Sequence, residues 1–238
     1  MRTIAYITDV HLDEPFILLN GAHPRENWKK ILDDVRNRQI KEVVFGGDIG
    51  EKISIPSFFQ SLADFEWKIT LGNHDKYSDV IEYFKEFSVD GSELFYAIDD
   101  DNFRYIFMDS SSDQISQNQL QWLSEQLVTD KKLILFIHHP VLEVDTYVDA
   151  KYPLKNRIDV ISILHTSNKK CLLFCGHYHT EDERSNGNIK QFITPAASYQ
   201  ITKHTDSLRM DTSSFGYRII NIHDDGRIDS QVILFTHS

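Results

Sequence analysis

Five short apolar segments of this chain each lead directly into side chains that bind metal ions. They are Ile4–Ile7 before Asp9 and His11, Val43–Phe45 before Asp48, Ile69–Leu71 before Asn73-His74-Asp75, Leu133–Ile137 before His138-His139, and Leu172–Phe174 before His177 and His179. Parallel strands bring their carboxyl ends to a common edge, where α/β proteins place their ligands. The five segments together therefore predict one site, rich in histidine and carboxylate, that holds metal.

The segments between these runs predict helices in the first part of the chain. Arg25–Arg38, Ile55–Phe65 and Tyr77–Phe87 carry apolar residues at helical spacing, which gives the alternating pattern of a layered α/β domain. Ile189–Ile193, Tyr217–Ile222 and Ile228–Phe235 read as strands without helices between them, and Asp225-Gly226 predicts a hairpin turn. We expect a second sheet, mixed or antiparallel, packed on the first, and a single domain spanning residues 1–238.

Composition restricts the class of protein. The 238 residues are 41% hydrophobic and 26% charged, as in soluble globular proteins, and no apolar run approaches the roughly 18 residues of a membrane-spanning helix. The N-terminus lacks the features of a signal peptide, so we expect a cytoplasmic location and no membrane partner. A net charge of −11 disfavours nucleic acid as a partner, although a nuclease whose metals supply the positive charge stays open.

The two cysteines, Cys171 and Cys175, flank one apolar run. Residues four apart on a strand are separated by roughly 13 Å, whereas a disulfide requires Cα atoms within about 7 Å. We interpret both as small buried strand residues rather than a redox pair.

Seven candidate ligands follow from the five motifs, too many for one zinc ion, which takes about four. They are Asp9, His11, Asp48, Asn73, His138, His177 and His179. Seven side chains suit two ions that share one bridging carboxylate, and Asp48, on a Gly-Gly-Asp turn, is the candidate bridge. Mixed histidine, carboxylate and amide ligation favours manganese, iron or zinc over calcium or a thiolate-bound metal.

Residue spacing supports convergence on one site. Asp9 and His11 are two residues apart, as are His177 and His179, so each pair would project to one side of an extended segment. Each motif alone is a common turn or strand-end pattern, and the prediction depends on the five occurring in order.

These motifs, in this order, resemble those of the calcineurin-like metallophosphoesterase superfamily: Asp-x-His, Gly-Asp, Gly-Asn-His-Asp, His and Gly-His-x-His. The resemblance implies an α/β (α+β) fold, a four-layer αββα sandwich of two mixed β-sheets flanked by helices. It implies one metal on Asp9, His11, Asp48 and His179, and a second on Asp48, Asn73, His138 and His177. It also implies that His74 is catalytic, that Asp75 holds the His74 ring, and that His139 lies beside the ligands without binding metal.

A narrower resemblance is to the class III cyclic-nucleotide phosphodiesterases, the Icc-like group. The stretches that carry it are Met108–Ser111, Gln119–Leu123 and Thr194–Gln200. The chain departs from that group at Val141, where the group usually has a second proline after His-His-Pro.

The resemblance implies a metal-dependent phosphoester hydrolase. Two ions would activate a bridging hydroxide, and His74 would protonate the leaving alkoxide. The leading substrate is a small phosphodiester or nucleotide such as 3′,5′-cyclic AMP, and the close alternative is a broad phosphodiesterase or phosphomonoesterase. Loops 13–24, 143–156 and 202–216, with His23, Tyr147 and His204, would set the substrate. A metal-free scaffold is the remaining alternative, and the oligomeric state stays open.

Overall fold

The computed structural model describes residues 1–84 and 91–237. Its strands are β1 (Arg2–Ile7), β2 (Glu42–Phe45), β3 (Glu66–Ile69), β4 (Tyr96–Asp99), β5 (Phe103–Met108), β6 (Lys132–Ile137), β7 (Cys171–Cys175), β8 (Asp182–Asn186), β9 (Ile189–Ile193), β10 (Gln200–Ile201), β11 (Met210–Asp211), β12 (Ser214–Ile222) and β13 (Ile228–Thr236). The helices are α1 (Pro15–Leu19), α2 (Pro24–Asn37), α3 (Ile55–Ser61), α4 (Tyr77–Val80), α5 (Gln117–Gln126), α6 (Tyr147–Lys151) and α7 (Arg157–Thr166), with a short 3-10 helix at Lys52–Ser54.

Two large mixed sheets form the centre of the described fold. The first has the strand order β13-β12-β1-β2-β3, and the second has the order β4-β5-β6-β7-β9-β8. In the first sheet Ile7 pairs with Phe45, and Phe45 pairs with Ile69, so the carboxyl ends of β1, β2 and β3 are level. In the second sheet Phe136 of β6 pairs with Phe174 of β7, which levels that pair of strands in the same way.

Aromatic side chains hold the two sheets face to face. Tyr6 of the first sheet packs against Phe136 and Phe174 of the second, with ring centroids 5.5 Å and 6.2 Å apart. All three rings are buried, and burying an aromatic side chain contributes roughly 1.5–3 kcal/mol each. This layer is the core shared by the sheets.

Helices cover the outer face of each sheet. Trp28 of α2 and Phe58 of α3 contact Phe45, whose side chain points away from the other sheet. On the opposite side, the buried residues of α5 and α7 form one cluster with the outward-facing residues of β6 and β7, Leu135 and Leu173. The four layers confirm the predicted αββα sandwich.

The assignment of strands to sheets differs from the expectation. Of the three C-terminal strands expected in the second sheet, β9 lies there, whereas β12 pairs with β1 and extends the first sheet through β13. The second sheet also contains β6 and β7, so the five predicted strand ends lie on two sheets rather than one. The Asp225-Gly226 hairpin is confirmed, with Ile222 of β12 paired with Ile228 of β13.

Several helices differ in length from those expected. Helix α3 ends at Ser61 rather than Phe65, and α4 spans only Tyr77–Val80; Phe87, the last residue of the helix predicted there, lies outside the described residues. Loop 143–156 contains α6, and loop 13–24 contains α1. In the described part of the chain, no helix combines the length and apolar character needed to span a membrane.

Candidate metal centre

Five of the predicted ligands have backbone conformations that are rare for residues other than glycine. Their φ angles are positive: 58° at Asp9, 50° at His11, 62° at Asp48, 66° at His177 and 46° at His179. The two pairs therefore do not lie on extended segments, as their spacing had suggested, but on left-handed turns beyond the strands. Such turns cost on the order of 1–3 kcal/mol each and cluster at functional sites.

The turns bring Asp9, His11 and His179 into one group of buried side chains. His179 Nε2 lies 3.2 Å from Asp9 Oδ1 and 3.1 Å from His11 Nε2. The third distance, from His11 Nε2 to Asp9 Oδ1, is 4.0 Å.

Asp48, His138 and His177 form a second group. His138 Nε2 lies 3.2 Å from Asp48 Oδ2, and the same oxygen lies 3.6 Å from His11 Nε2 of the first group. Asp48 is therefore the carboxylate placed between the two groups, at the position where a bridging ligand would be required.

Hydrogen bonds on the outer side of each ring determine which nitrogen faces inward. The outer nitrogens contact oxygen acceptors at 2.8–3.0 Å: His11 Nδ1 and Glu14, His138 Nδ1 and the Gly46 carbonyl, His177 Nε2 and the Tyr152 carbonyl, His179 Nδ1 and the Tyr199 carbonyl. Because these oxygens only accept, each outer nitrogen carries the hydrogen, and a neutral ring then presents a lone pair to the cluster.

This donor set fits divalent cations. The inward nitrogens of His11 and His179, 3.1 Å apart, cannot hydrogen-bond to each other while both rings are neutral, so a proton or a cation is required between them. Asn73 Oδ1 is buried without a hydrogen-bond partner. Buried polar atoms of this kind are rare unless a ligand satisfies them.

The pKa values of His138 and Asp48 in the protein without metal also indicate a site for cations. Burial acts to lower the pKa of His138, but the Asp48 and Asp9 carboxylates outweigh it and raise the pKa to about 10. Burial acts to raise the pKa of Asp48, but His138 holds it well below its usual range. A proton on His138 thus compensates negative charge that a metal ion would otherwise balance.

The expectation was that Asp75 holds the His74 ring, but the described contacts of the Asp75 carboxylate are with backbone N–H groups. The Asp75 carboxylate accepts backbone hydrogen bonds from Asp48, Ile49 and Gly72 at 2.8–2.9 Å, and so ties two of the motif loops together. The carboxylate beside the His74 ring is that of Glu14, 3.1 Å from His74 Nδ1.

Glu14 is the residue of this site that sequence reasoning missed. The available signal was an acidic residue three positions after His11. Burial acts to raise the pKa of Glu14, but hydrogen bonds from His11 and His74 outweigh it and lower the pKa to about 2. Burial acts to lower the pKa of His74, but Glu14 and Asp48 raise it to about 9.

His139 lies outside both groups. Its Nδ1 is 2.9 Å from the Ser110 hydroxyl, and its ring packs 4.1 Å from that of His177. Burial lowers the pKa of His139 well below its usual value, so the ring is neutral. The described contacts of the loop residues His23, Tyr147 and His204 are with His237, Lys151 and Asp145, respectively.

The family model for calcineurin-like phosphoesterases matches residues 2–181 of this chain. The chain belongs to the calcineurin-like phosphoesterase family. It is therefore a hydrolytic phosphoesterase of a family that uses metal. The resemblance to calcineurin-like metallophosphoesterases seen in the sequence motifs is confirmed.

Relatives of this phosphoesterase carry phosphodiesterase names. It is 24% identical over 245 residues to the 3′,5′-cyclic adenosine monophosphate phosphodiesterase CpdA of Escherichia coli K12, covering 96% of this chain and 88% of CpdA. It is also 24% identical over 225 residues to a protein of Fibrobacter succinogenes named "Probable cyclic nucleotide phosphodiesterase", covering 91% of this chain and 88% of the relative.

Among solved structures, a dimetal phosphatase from Danio rerio has the same fold. The two superpose with a TM-score of 0.66 at 15% sequence identity, covering 100% of this chain and 99% of the phosphatase. At this identity the likeness establishes the fold alone, and the metal ligands named above remain predictions.

Proposed function

We propose that this phosphoesterase is a dinuclear phosphodiesterase that hydrolyses a small diester, with 3′,5′-cyclic AMP as the first candidate. The observation that carries the proposal is the placement of Asp48 between two histidine-containing groups, with Asp48 Oδ2 3.6 Å from His11 Nε2 and 3.2 Å from His138 Nε2. The names of the relatives support the choice of substrate.

The ligands divide into two sets of four that share Asp48. Asp9, His11, Asp48 and His179 would hold one ion, and Asp48, Asn73, His138 and His177 the other. Manganese, iron or zinc at these positions would neutralise phosphate oxygens and acidify a water molecule. The outward hydrogen bonds of the four histidines would keep their inward nitrogens aimed at the ions before any ion binds, and His138 would lose its inward proton as the ion binds.

His74 would act as the general acid. Its Nδ1 is occupied by contact with Glu14 at 3.1 Å, which leaves Nε2 to transfer the proton. In the reaction a water molecule would release one proton to solvent and its oxygen would form a bond to phosphorus. The bond from phosphorus to the 3′ oxygen would break, the 3′ oxygen would take the proton from His74, and His74 would regain one proton from solvent. The product from cyclic AMP would be the 5′ monoester.

We also propose one domain across residues 1–238. The family model ends at residue 181, but β12 pairs with β1 along five residue pairs, so the C-terminal part completes the first sheet.

The test is manganese-supported hydrolysis of 3′,5′-cyclic AMP, with Asp48→Ala as the blank. We expect Asp48→Ala to lose metal and activity together, because Asp48 contributes to both sets. We expect His74→Ala to keep its metal and lose roughly 10²–10⁴ in rate on cyclic AMP, and less on bis(p-nitrophenyl) phosphate, whose leaving group needs little protonation.

Three outcomes would change the proposal. Cleavage of bis(p-nitrophenyl) phosphate without cyclic AMP turnover would favour the broad-specificity alternative. Loss of metal in His74→Ala, or equal slowing of both substrates, would contradict the general-acid role. Purification without bound transition metal, and no activity after metal addition, would favour the scaffold alternative.

A further inference from the structure

Glu14 sits at a fixed point directly after the first motif. It precedes α1, and its backbone N–H lies 3.5 Å from the His11 carbonyl, closing a tight turn. The neighbouring Asp13 has a φ of 61° and accepts a hydrogen bond from the Ser54 hydroxyl at 2.6 Å. These contacts hold the backbone on both sides of Glu14, and its side chain is only 12% exposed.

One oxygen of Glu14 contacts two histidine rings. Oε1 lies 2.8 Å from His11 Nδ1 and 3.1 Å from His74 Nδ1. The two rings stand edge to face with centroids 4.7 Å apart. Because a carboxylate oxygen has two lone pairs, it can accept a hydrogen bond from each ring at once.

Other nearby carboxylates are already engaged. Asp75 accepts three backbone N–H groups, and Asp48 Oδ1 accepts the backbone N–H of His74 at 2.9 Å. Among the described residues, Glu14 provides the carboxylate within 4 Å of the His74 ring.

We infer that Glu14 is a positioning residue for proton transfer by His74, and this inference rests on the proposed function. Contact with Glu14 requires the hydrogen of a neutral His74 ring to be on Nδ1. The proton given to the leaving oxygen must then come from Nε2, and the next proton must return to Nε2. A carboxylate that fixes the tautomer and orientation of a catalytic histidine serves the same purpose in other hydrolases.

The same carboxylate also holds His11, so its loss has to be separated from loss of metal. Residues that orient metal ligands cost about 10- to 100-fold in affinity or activity when removed. A metal effect would slow all substrates alike, whereas an effect through His74 depends on the leaving group. Metal content and leaving-group dependence therefore distinguish the two routes.

The experiment compares Glu14→Gln and Glu14→Ala in wild-type and His74→Ala backgrounds, at saturating manganese and with metal content measured. Glu14→Gln keeps the size of the side chain, so a folding defect is not expected from it. Glu51→Gln is the matched control: Glu51 borders the same cavity of about 240 Å³ beside His74, but its side chain is exposed.

We expect Glu14→Ala to lower kcat on cyclic AMP by roughly 10- to 100-fold, with a smaller loss on bis(p-nitrophenyl) phosphate and little change in KM. Glu14→Gln should fall between Glu14→Ala and wild type, and Glu51→Gln should match wild type. In the His74→Ala background, Glu14→Ala should cost no further rate, because the two residues act as one unit. A further loss there of the same size, or equal losses on both substrates with metal retained, would overturn the inference.

A second readout does not depend on turnover. The readout is the NMR spectrum of the zinc-loaded protein labelled with ¹⁵N-histidine, in which the Nδ1–H signal of His74 is identified by its absence from His74→Ala. This signal should be present in wild type and in Glu51→Gln, and it should be lost in Glu14→Ala. If wild type cleaves neither diester, the proposed function fails while this signal still tests the contact. If the signal persists in Glu14→Ala, the positioning role is refuted whatever the substrate.

Discussion

Replacement of Gly47 by alanine tests whether close packing of backbones builds the metal centre. Gly47 precedes Asp48 and has a φ of 100°. A Cβ atom there would lie 2.5 Å from the Gly72 backbone nitrogen and 2.8 Å from His138 Nδ1. Ordinary contacts begin near 3.4 Å, so the atoms would have to separate by 0.9 Å. The obstacle at Gly72 is backbone, which cannot move away by rotating a side chain.

The magnitude has two parts. A left-handed backbone costs alanine about 1–2 kcal/mol, and overpacking costs about 1–3 kcal/mol. Alanine recovers roughly 0.4–1 kcal/mol by restricting the unfolded chain. We expect Gly47→Ala to lose about 2–4 kcal/mol in the free energy of unfolding, or roughly 5–15 °C in Tm. Displacement of His138 approaching 1 Å should reduce activity by about 10²-fold.

Alanine substitutions at two other glycines measure the backbone cost and the overpacking cost separately. Gly21 has a φ of 83° with nothing within 4 Å of an added Cβ, so Gly21→Ala measures the backbone cost alone, about 1 kcal/mol. At Gly72 an added Cβ would contact Asp48, including its backbone nitrogen at 2.7 Å, so Gly72→Ala measures crowding. Thermal and urea unfolding of the three variants gives the comparison. If Gly47→Ala and Gly21→Ala have the same stability, crowding contributes nothing and the reasoning is refuted.

Two further predictions concern protons. Hydrogen bonds from Arg104, with Lys131 nearby, lower the pKa of Asp99 to about 2; a lowered pKa stabilises the fold above about pH 4, and that contribution is lost as the pH falls towards 2. Because Asp99 is about one-third exposed, we expect Asp99→Asn to lower the free energy of unfolding by at most about 1 kcal/mol at pH 7. In urea titrations below pH 4 the difference in stability between wild type and Asp99→Asn should shrink. A difference that does not change with pH would contradict this. Binding of manganese to chelator-treated protein at pH 7.5 should release at least one proton, since the pKa of His138 is about 10. Calorimetry in buffers of different ionisation enthalpy measures the number of protons released. Identical apparent binding enthalpies in all buffers would contradict the prediction.

The sequence predicted the αββα layers because strand and helix patterns are local. It did not predict which strands share a sheet. Strand β12 pairs with β1 across more than 200 positions, with Arg2 opposite Ile222, and no local pattern encodes that choice. Strand β8 was not predicted either, because Asp182–Asn186 has no alternation of apolar and polar residues.

Convergence of six of the seven candidate ligands into two adjacent groups could be anticipated because each motif follows an apolar run. Their conformations could not, since left-handed turns at Asp9 and His177 depend on contacts between the two sheets. One such contact is the hydrogen bond from the His177 backbone N–H to the Asp9 carboxylate, at 3.1 Å. The partner of His74 also depended on three dimensions, because the turn after His11 brings Glu14 to a ring 60 residues away.

The hydrogen bonds outside the histidine rings connect the metal centre to the loops around it. The Tyr152 carbonyl that holds His177 lies in loop 143–156, and the Tyr199 carbonyl that holds His179 lies in Thr194–Gln200. The same stretch holds the first motif, because the Ser198 hydroxyl donates to the Asp9 carbonyl at 2.7 Å. Loop 143–156 therefore combines a candidate role in substrate selection with a backbone contact to a candidate ligand. A change in its length would alter the orientation of His177 as well as the surface presented to substrate, so selectivity and metal affinity in this protein are expected to change together.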